Sequence, residues 1–301
     1  MSDHAIVATG LVKRFGNSVA VDGIDLEIPR GTIYGVLGPN GAGKTTTLRI
    51  LLGIIDPDAG ERRVLGSSDP IGMADRIGYL PEERGLYQSM TAREAIAFLG
   101  ALRGLPLAEG RRRATVLLAA HDLPADRKVK TLSKGMAQIV QLLGTIIHNP
   151  ELIVLDEPFS GLDAINQAKL EELIRAQAAG GATILFSTHV IAHAERLCER
   201  IAIIAAGKVR FEGSVAQARG RLAPRVRLTT RAIEGAWRSA LPADAERRDR
   251  EWTFTLPASG VEPLLAALIA GEAGIETLSI ERPGLHDAFV DIVGAPAEPD
   301  A

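Results

Sequence analysis

The run Gly38-Pro39-Asn40-Gly41-Ala42-Gly43-Lys44-Thr45-Thr46 has the residue types and spacing to hold a phosphate chain: glycine, four residues, then Gly-Lys-Thr. Glycines let backbone N–H groups curl around phosphate oxygens, and a helix beginning at the loop's end adds partial positive charge. Lys44 has the reach for the β- and γ-phosphates of a nucleotide, and the Thr45 hydroxyl for Mg²⁺. Far downstream stands an adjacent carboxylate pair, Asp156-Glu157. Two such groups repel each other unless a cation lies between them. Asp156 is therefore placed to hold Mg²⁺, and Glu157 to orient and deprotonate an attacking water.

The flanking residues supply the elements that these groups need. Ile33-Tyr34-Gly35-Val36-Leu37 reads as a buried strand before the loop, and Thr46 to Leu52 as the first turns of a helix. Glu151 to Asp156 is another buried strand, with the two carboxylates at its carboxyl end, where open α/β sheets place their ligand contacts. Ala182 to Ser187 is a third, with Thr188-His189 beyond it. His189 in that placement is either a γ-phosphate contact or a capping or surface histidine. Ile77-Gly78-Tyr79-Leu80 also reads as a core strand, followed by the polar loop Pro81-Glu82-Glu83.

Upstream, short strands over Ala5–Thr9, Ser18–Val21 and Asp25–Ile28 are broken by Gly16-Asn17 and Asp22-Gly23, which suits antiparallel hairpins. Phe15, in the turn, either stacks on a base or packs in the hairpin. Asp56 to Gly60 reads as a turn, and Arg62 to Gly66 as a further strand. From about Thr91 to Asn149 the pattern is helical: Ala92–Leu99 with Thr91 as N-cap, then Ala108–Ala120, then Lys134–Ile147. Asp163 is placed to cap a helix from Ala164 to about Ala178, which Gly180-Gly181 stops. Ile201–Ala205 and Lys208–Phe211 form a hairpin.

Past Gly213 a second unit reads strand (Arg225–Thr229), helix (Ile233–Ala240), strand (Trp252–Leu256), helix (Val261–Ala270), strand (Ile275–Ile280) and helix (Gly284–Val293). Arg247, Arg248 and Arg250 alternate with acids, as in a solvated loop, and a Pro/Ala tail closes the chain at 295–301.

Composition narrows the classes. At 301 residues, with 46% hydrophobic and 24% charged residues, the chain has the make-up of soluble globular proteins and room for about two domains. A formal net charge of −3 gives no basis for bulk electrostatic binding to nucleic acid. No apolar run reaches the roughly 18 residues that a span requires, and Met1-Ser2-Asp3-His4 is unlike a signal peptide. Cys198 has no second cysteine to pair with. A cytosolic location is expected.

Thr131-Leu132-Ser133-Lys134-Gly135-Met136-Ala137-Gln138, at the start of the Lys134–Ile147 helix and ahead of the carboxylate pair, resembles the signature motif of the ATP-binding-cassette (ABC) family. With the other motifs in order, the resemblance covers about residues 4–215. It implies an α/β phosphate-loop NTPase of ABC type: a mixed sheet core, an antiparallel β subdomain and a helical insertion at about 88–150, together forming an ATPase domain over 1–215. A C-terminal accessory α+β domain is expected over 216–294. The family sandwiches nucleotide between two subunits. Ser133 and the Gly135 N–H would thus meet the γ-phosphate on a partner's Lys44 loop, which suits a helix N-terminus. By the same resemblance Phe15 stacks on adenine, Glu157 is the catalytic carboxylate, Asp163 lies in the inter-subunit loop, and His189 is the switch histidine.

Glu82 stands where the family usually has glutamine. It can still offer Mg²⁺ an oxygen, but cannot donate an amide hydrogen bond. Lys134, Met136 and Ile139 also depart from the usual signature. These changes resemble an export-type subgroup that includes sodium-extrusion ATPase subunits, as does the C-terminal stretch Arg282-Pro283-Gly284-Leu285-His286. The expectation is an ATPase using ATP and Mg²⁺ as a homodimer, peripheral on the inner face of the cell membrane, coupled to separate membrane permease subunits and not to nucleic acid. The rival is a non-transport cassette ATPase acting on nucleic acid or the ribosome. Such relatives usually carry paired cassettes, coiled coils or zinc-bearing insertions, none of which this sequence has. A kinase or GTPase leaves the signature segment unexplained, and no Asn-Lys-x-Asp motif is present.

Overall fold

The computed structural model describes residues 3–83 and 85–294; the tail expected at 295–301 lies outside them. Residue contacts divide the chain into two compact units, Met1–Val215 and Ala216–Ala301.

In the first unit the elements run β1 (His4–Phe15), β2 (Ser18–Pro29), β3 (Ile33–Leu37), α1 (Lys44–Leu51), β4 (Ala59–Val64), β5 (Ile77–Leu80), α2 (Ala92–Ala101), α3 (Leu107–Ala120) and α4 (Lys134–Ile146). They continue through β6 (Leu152–Asp156), α5 (Ala164–Ala179), β7 (Thr183–Thr188), α6 (Ile191–Leu197), β8 (Arg200–Ala205) and β9 (Lys208–Ser214). A six-stranded sheet in the order β5-β6-β7-β3-β8-β9 forms the centre. All its neighbours are parallel except β8 and β9. Every residue of β3, β6 and β7 is buried, which is why those strands read as unbroken apolar runs. One face of the sheet packs on the helices, through Ile33, Ile153, Ile184 and Phe186. The other, with Tyr34, Val36, Val154 and Leu185, packs on the antiparallel sheet β2-β1-β4 and on α1.

Several strands differ from the sequence expectation, and β1 itself runs past Thr9 to Phe15. Asp22-Gly23 does not end a strand; β2 runs through it, and the register slips opposite Leu11 and Val12. Gly23, at φ 71°, absorbs that bulge in a left-handed conformation open to glycine. β4 starts at Ala59, inside the expected turn, because it pairs with β1 from Val12↔Ala59 to Ile6↔Val64. The caps fall where expected. Thr91 and Glu94 form a reciprocal capping box on α2, and Ser133 and Asp163 cap α4 and α5.

The second unit begins within α7 (Val215–Arg219) and continues β10 (Arg225–Thr230), β11 (Glu246–Arg248), β12 (Glu251–Thr255), α8 (Glu262–Ala270), β13 (Ile275–Glu281) and α9 (Leu285–Gly294). The strands form an antiparallel sheet in the order β11-β12-β10-β13. Trp237, Trp252, Phe254 and Leu268 lie in its core. The helix expected over Ile233–Ala240 is only a 3₁₀ turn, Ala236–Ala240, preceded by the extended Gly235. The arginine-rich loop is in part the edge strand β11, whose exposed side chains are solvated while its backbone pairs with β12.

Candidate active site

The loop between β3 and α1 is shaped by its glycines. A Cβ on Gly38 would come within 2.2 Å of the Ile204 carbonyl oxygen, and one on Gly43 within 2.2 Å of that of Ala20. Gly43 also has φ 102° and caps α1 with no side chain. The first N–H groups of α1 are thereby left without a side-chain partner at the loop, the arrangement that binds anions. Lys44 is buried at 6% exposure. Its Nζ donates to the carbonyls of Gly38 at 2.9 Å and Pro39 at 3.2 Å and lies 3.4 Å from Glu157 Oε1.

The carboxylate pair sits where β6 ends. Asp156 is fully buried; its Oδ1 accepts from Thr45 Oγ1 at 3.1 Å and from Ser187 Oγ at 2.6 Å. Asp156 Oδ2 is buried with no hydrogen-bond partner. A buried orphan oxygen beside a threonine hydroxyl is a hard donor set suited to Mg²⁺. Thr45 and Asp156 therefore fit that ion, and Glu82 lines the same cleft.

Glu157 adopts φ 45°, a left-handed conformation that costs a non-glycine residue about 1–3 kcal/mol and persists where its surroundings over-determine it. Its N–H donates to Ser187 Oγ at 3.1 Å. Its Oε2 faces His189 Nδ1 at 2.9 Å. One buried carboxylate thus meets a lysine on one oxygen and an imidazole on the other.

These groups open on a cleft of about 590 Å³ lined by Asn40, Gly41, Ala42, Gly43, Lys44, Thr45 and Thr46 with Glu82, Glu157, Ser160 and His189. The structure brings the loop, both carboxylates and His189 together. Phe15 is half exposed at the end of β1, with the Lys13 amine 5.8 Å from its ring centre, and does not line the cleft. Ser133, Gly135 and Asp163 are also outside it and form their own cluster. Ser133 Oγ accepts from Met136 N. A Cβ on Gly135 would meet Asn166 Nδ2 at 2.3 Å, and that amide donates to Asp163 Oδ2 at 2.8 Å. Hydrogen bonds from the Asn166 backbone and side chain hold the Asp163 carboxyl below its ordinary range.

Sequence reasoning missed Ala20, Ser160 and Ser187. Ala20 and Ser160 line the cleft with no signal in the sequence. Ser187 is paired in register with Asp156 across β6 and β7, and its only mark is a place two residues before His189.

A parallel sheet that presents a glycine loop, a buried aspartate and a glutamate at one edge defines a phosphate-loop nucleotide-binding protein. Residues 21–160 match the model of the ABC transporter family. Over 303 residues the chain is 35% identical to the ABC transporter ATP-binding protein YhaQ of Bacillus subtilis (strain 168), covering 95% of this chain and 97% of that one. It is 33% identical to the daunorubicin/doxorubicin resistance ATP-binding protein DrrA of Streptomyces peucetius, over 98% and 94% of the two chains. A solved dimeric cassette, MJ0796 in a post-hydrolysis state bound to ADP and Pi, superposes with TM-score 0.63 and 26% identity, covering 69% of this chain and 98% of that one. This chain belongs to the ABC transporter family, as an ATP-binding, ATP-hydrolysing subunit.

Proposed function

We propose that the chain is the ATPase of an exporter and works as a homodimer with separate membrane permease subunits. The observation that carries this is the split site. The Lys44 loop and Glu157 share one cleft, while the capped start of α4, with Ser133 and Gly135, lies outside its lining. A second copy would complete the cleft by presenting that anion-binding helix start to the γ-phosphate.

Lys44 and the first N–H groups of α1 hold the phosphate chain, and Phe15 stacks on the base. Glu157, oriented by His189, accepts a proton from water as the water oxygen bonds to the γ-phosphorus and the bond to the ADP oxygen breaks. Mg²⁺ held by Thr45 and Asp156 would neutralise phosphate charge. Glu82 lines the cleft, and Tyr87 and Leu102 are large apolar side chains left exposed, suited to a docked permease segment. Among the described residues no helix is long and apolar enough to cross a membrane; in this reading the permease supplies the span and this chain is peripheral on the cytoplasmic face.

Export is favoured by the likeness to a daunorubicin/doxorubicin resistance ATP-binding protein along 98% of this chain, which includes the C-terminal unit. Residues 216–294 would then be an accessory domain. The test is Glu157→Gln: it should bind ATP, hold the dimer closed and lose steady-state hydrolysis by at least about 10²-fold. Unimpaired turnover would sink the assignment.

A further inference from the structure

We infer that His193 is a positioning residue for Glu157: its ring, stacked on Phe159 and tied to Glu171, braces both the loop that follows the carboxylate and the helix that follows His189. The inference rests on Glu157 being the hydrolytic carboxylate.

Phe159, two residues after Glu157, is buried. Its ring meets Phe186 of β7 edge-on at 6.1 Å and His193 face-on, with centroids 4.0 Å apart and planes 12° apart. His193 is itself buried at 3% exposure, and its Nδ1 lies 3.2 Å from Glu171 Oε1 on α5. Arg196, one turn further along α6, donates to the same oxygen through Nε at 3.0 Å and Nη2 at 2.5 Å. Burial, with the nearby Arg196 charge, holds the His193 imidazole below its ordinary range against the pull of Glu171.

The bracing has two arms. One runs from His193 through Phe159 to the left-handed backbone of Glu157. In the other, Glu171 clasps both His193 and Arg196 of α6, and Arg196 alone keeps that hold when the imidazole is replaced. Helix α6 starts directly after the residues that carry His189 to Glu157 Oε2, so the first arm is the one that depends on the ring. Beside the stack lies a hollow of about 310 Å³ bordered by Phe159, Gly161, Gln167, His193 and Arg196. Without the imidazole, Phe159 has space to move into it and carry the Glu157 loop along. The Lys44 loop lies between β3 and α1, so its backbone would stay in place, although the Lys44 Nζ–Glu157 Oε1 contact at 3.4 Å would loosen. Small misplacements of a reacting group cost rate far more than they cost binding.

The test is steady-state ATP hydrolysis by the full chain, comparing wild type, H193A, H193Q, H193F and E157Q, with ATP binding measured on each. H193Q keeps a hydrogen-bonding group for Glu171 but lacks a ring; H193F keeps a ring. H193A and H193Q should lose kcat roughly tenfold with KM changed less than about twofold, and H193F should stay within about twofold of wild type. Wild-type kcat in H193Q, an equal loss in H193F, or a defect confined to KM would overturn the inference; if H193A does not fold, H193Q decides. Sustained hydrolysis by E157Q would instead strike the role given to Glu157.

Discussion

Ser187 Oγ donates to Asp156 Oδ1 at 2.6 Å, one strand across the sheet. The same hydroxyl oxygen accepts from the Glu157 N–H at 3.1 Å. A single buried side chain thus ties both acidic residues to β7, at the point where the Glu157 backbone turns left-handed.

Ser187→Ala should therefore leave the Glu157 N–H buried without its partner. The expected loss is about 1–3 kcal/mol of folding stability, read as a shift in urea midpoint at unchanged slope. Hydrolysis should fall as well, because Asp156 and Glu157 lose a shared anchor. A variant as stable and as active as wild type would show that the hydroxyl is dispensable.

Phe15 is half exposed, as a platform awaiting a base would be. Phe15→Ala should weaken ATP binding by about 1–3 kcal/mol, with a similar loss for GTP, since stacking is tolerant of base identity. Phe15→Trp should retain affinity. Equilibrium titration of each nucleotide checks this, and a hairpin-packing role would instead appear as lost stability with affinity intact.

Glu109 on α3 accepts hydrogen bonds from Arg112 and Arg113 at 2.7–2.8 Å, which hold its carboxyl down to about 2 from an ordinary 4.5. A carboxylate held low when folded stabilises the fold above its ordinary range, and this contribution disappears as pH falls through the lowered value. Glu109→Gln should accordingly unfold at a slightly lower temperature than wild type at pH 7. That gap should narrow from pH 4.5 downward and close near pH 2. Thermal midpoints across this range test the sign; a gap that widens in acid contradicts it.

Much of the chemistry could be read from residue types in order. Gly38 to Thr46 needs only local conformation to form a phosphate loop, because strand, turn and helix start are contiguous. The same holds for the caps at Thr91, Ser133 and Asp163, each of which bonds within its own first turn. The buried parallel strands were legible too, since burial on both faces demands an unbroken apolar run. The bulge at Gly23, the early start of β4 and the edge strand β11 were not. Their pairing depends on a distant partner, and neither Asp22-Gly23 nor Glu246–Arg248 carries that partner in its own residues.

By itself, then, the sequence determined which groups are available: a lysine on a glycine loop, two carboxylates ending a strand, a histidine ending another and a helix capped by Ser133. Only the tertiary structure decided which of them meet. Parallel pairing of β6 with β7 and of β7 with β3 brings Lys44, Asp156, Glu157, Ser187 and His189 within bonding distance, although the chain separates them widely. The same packing leaves Ser133 and Gly135 outside the cleft. The reason is physical: local conformation follows from neighbours in the chain, whereas contacts across a sheet follow from the register that buries its two faces.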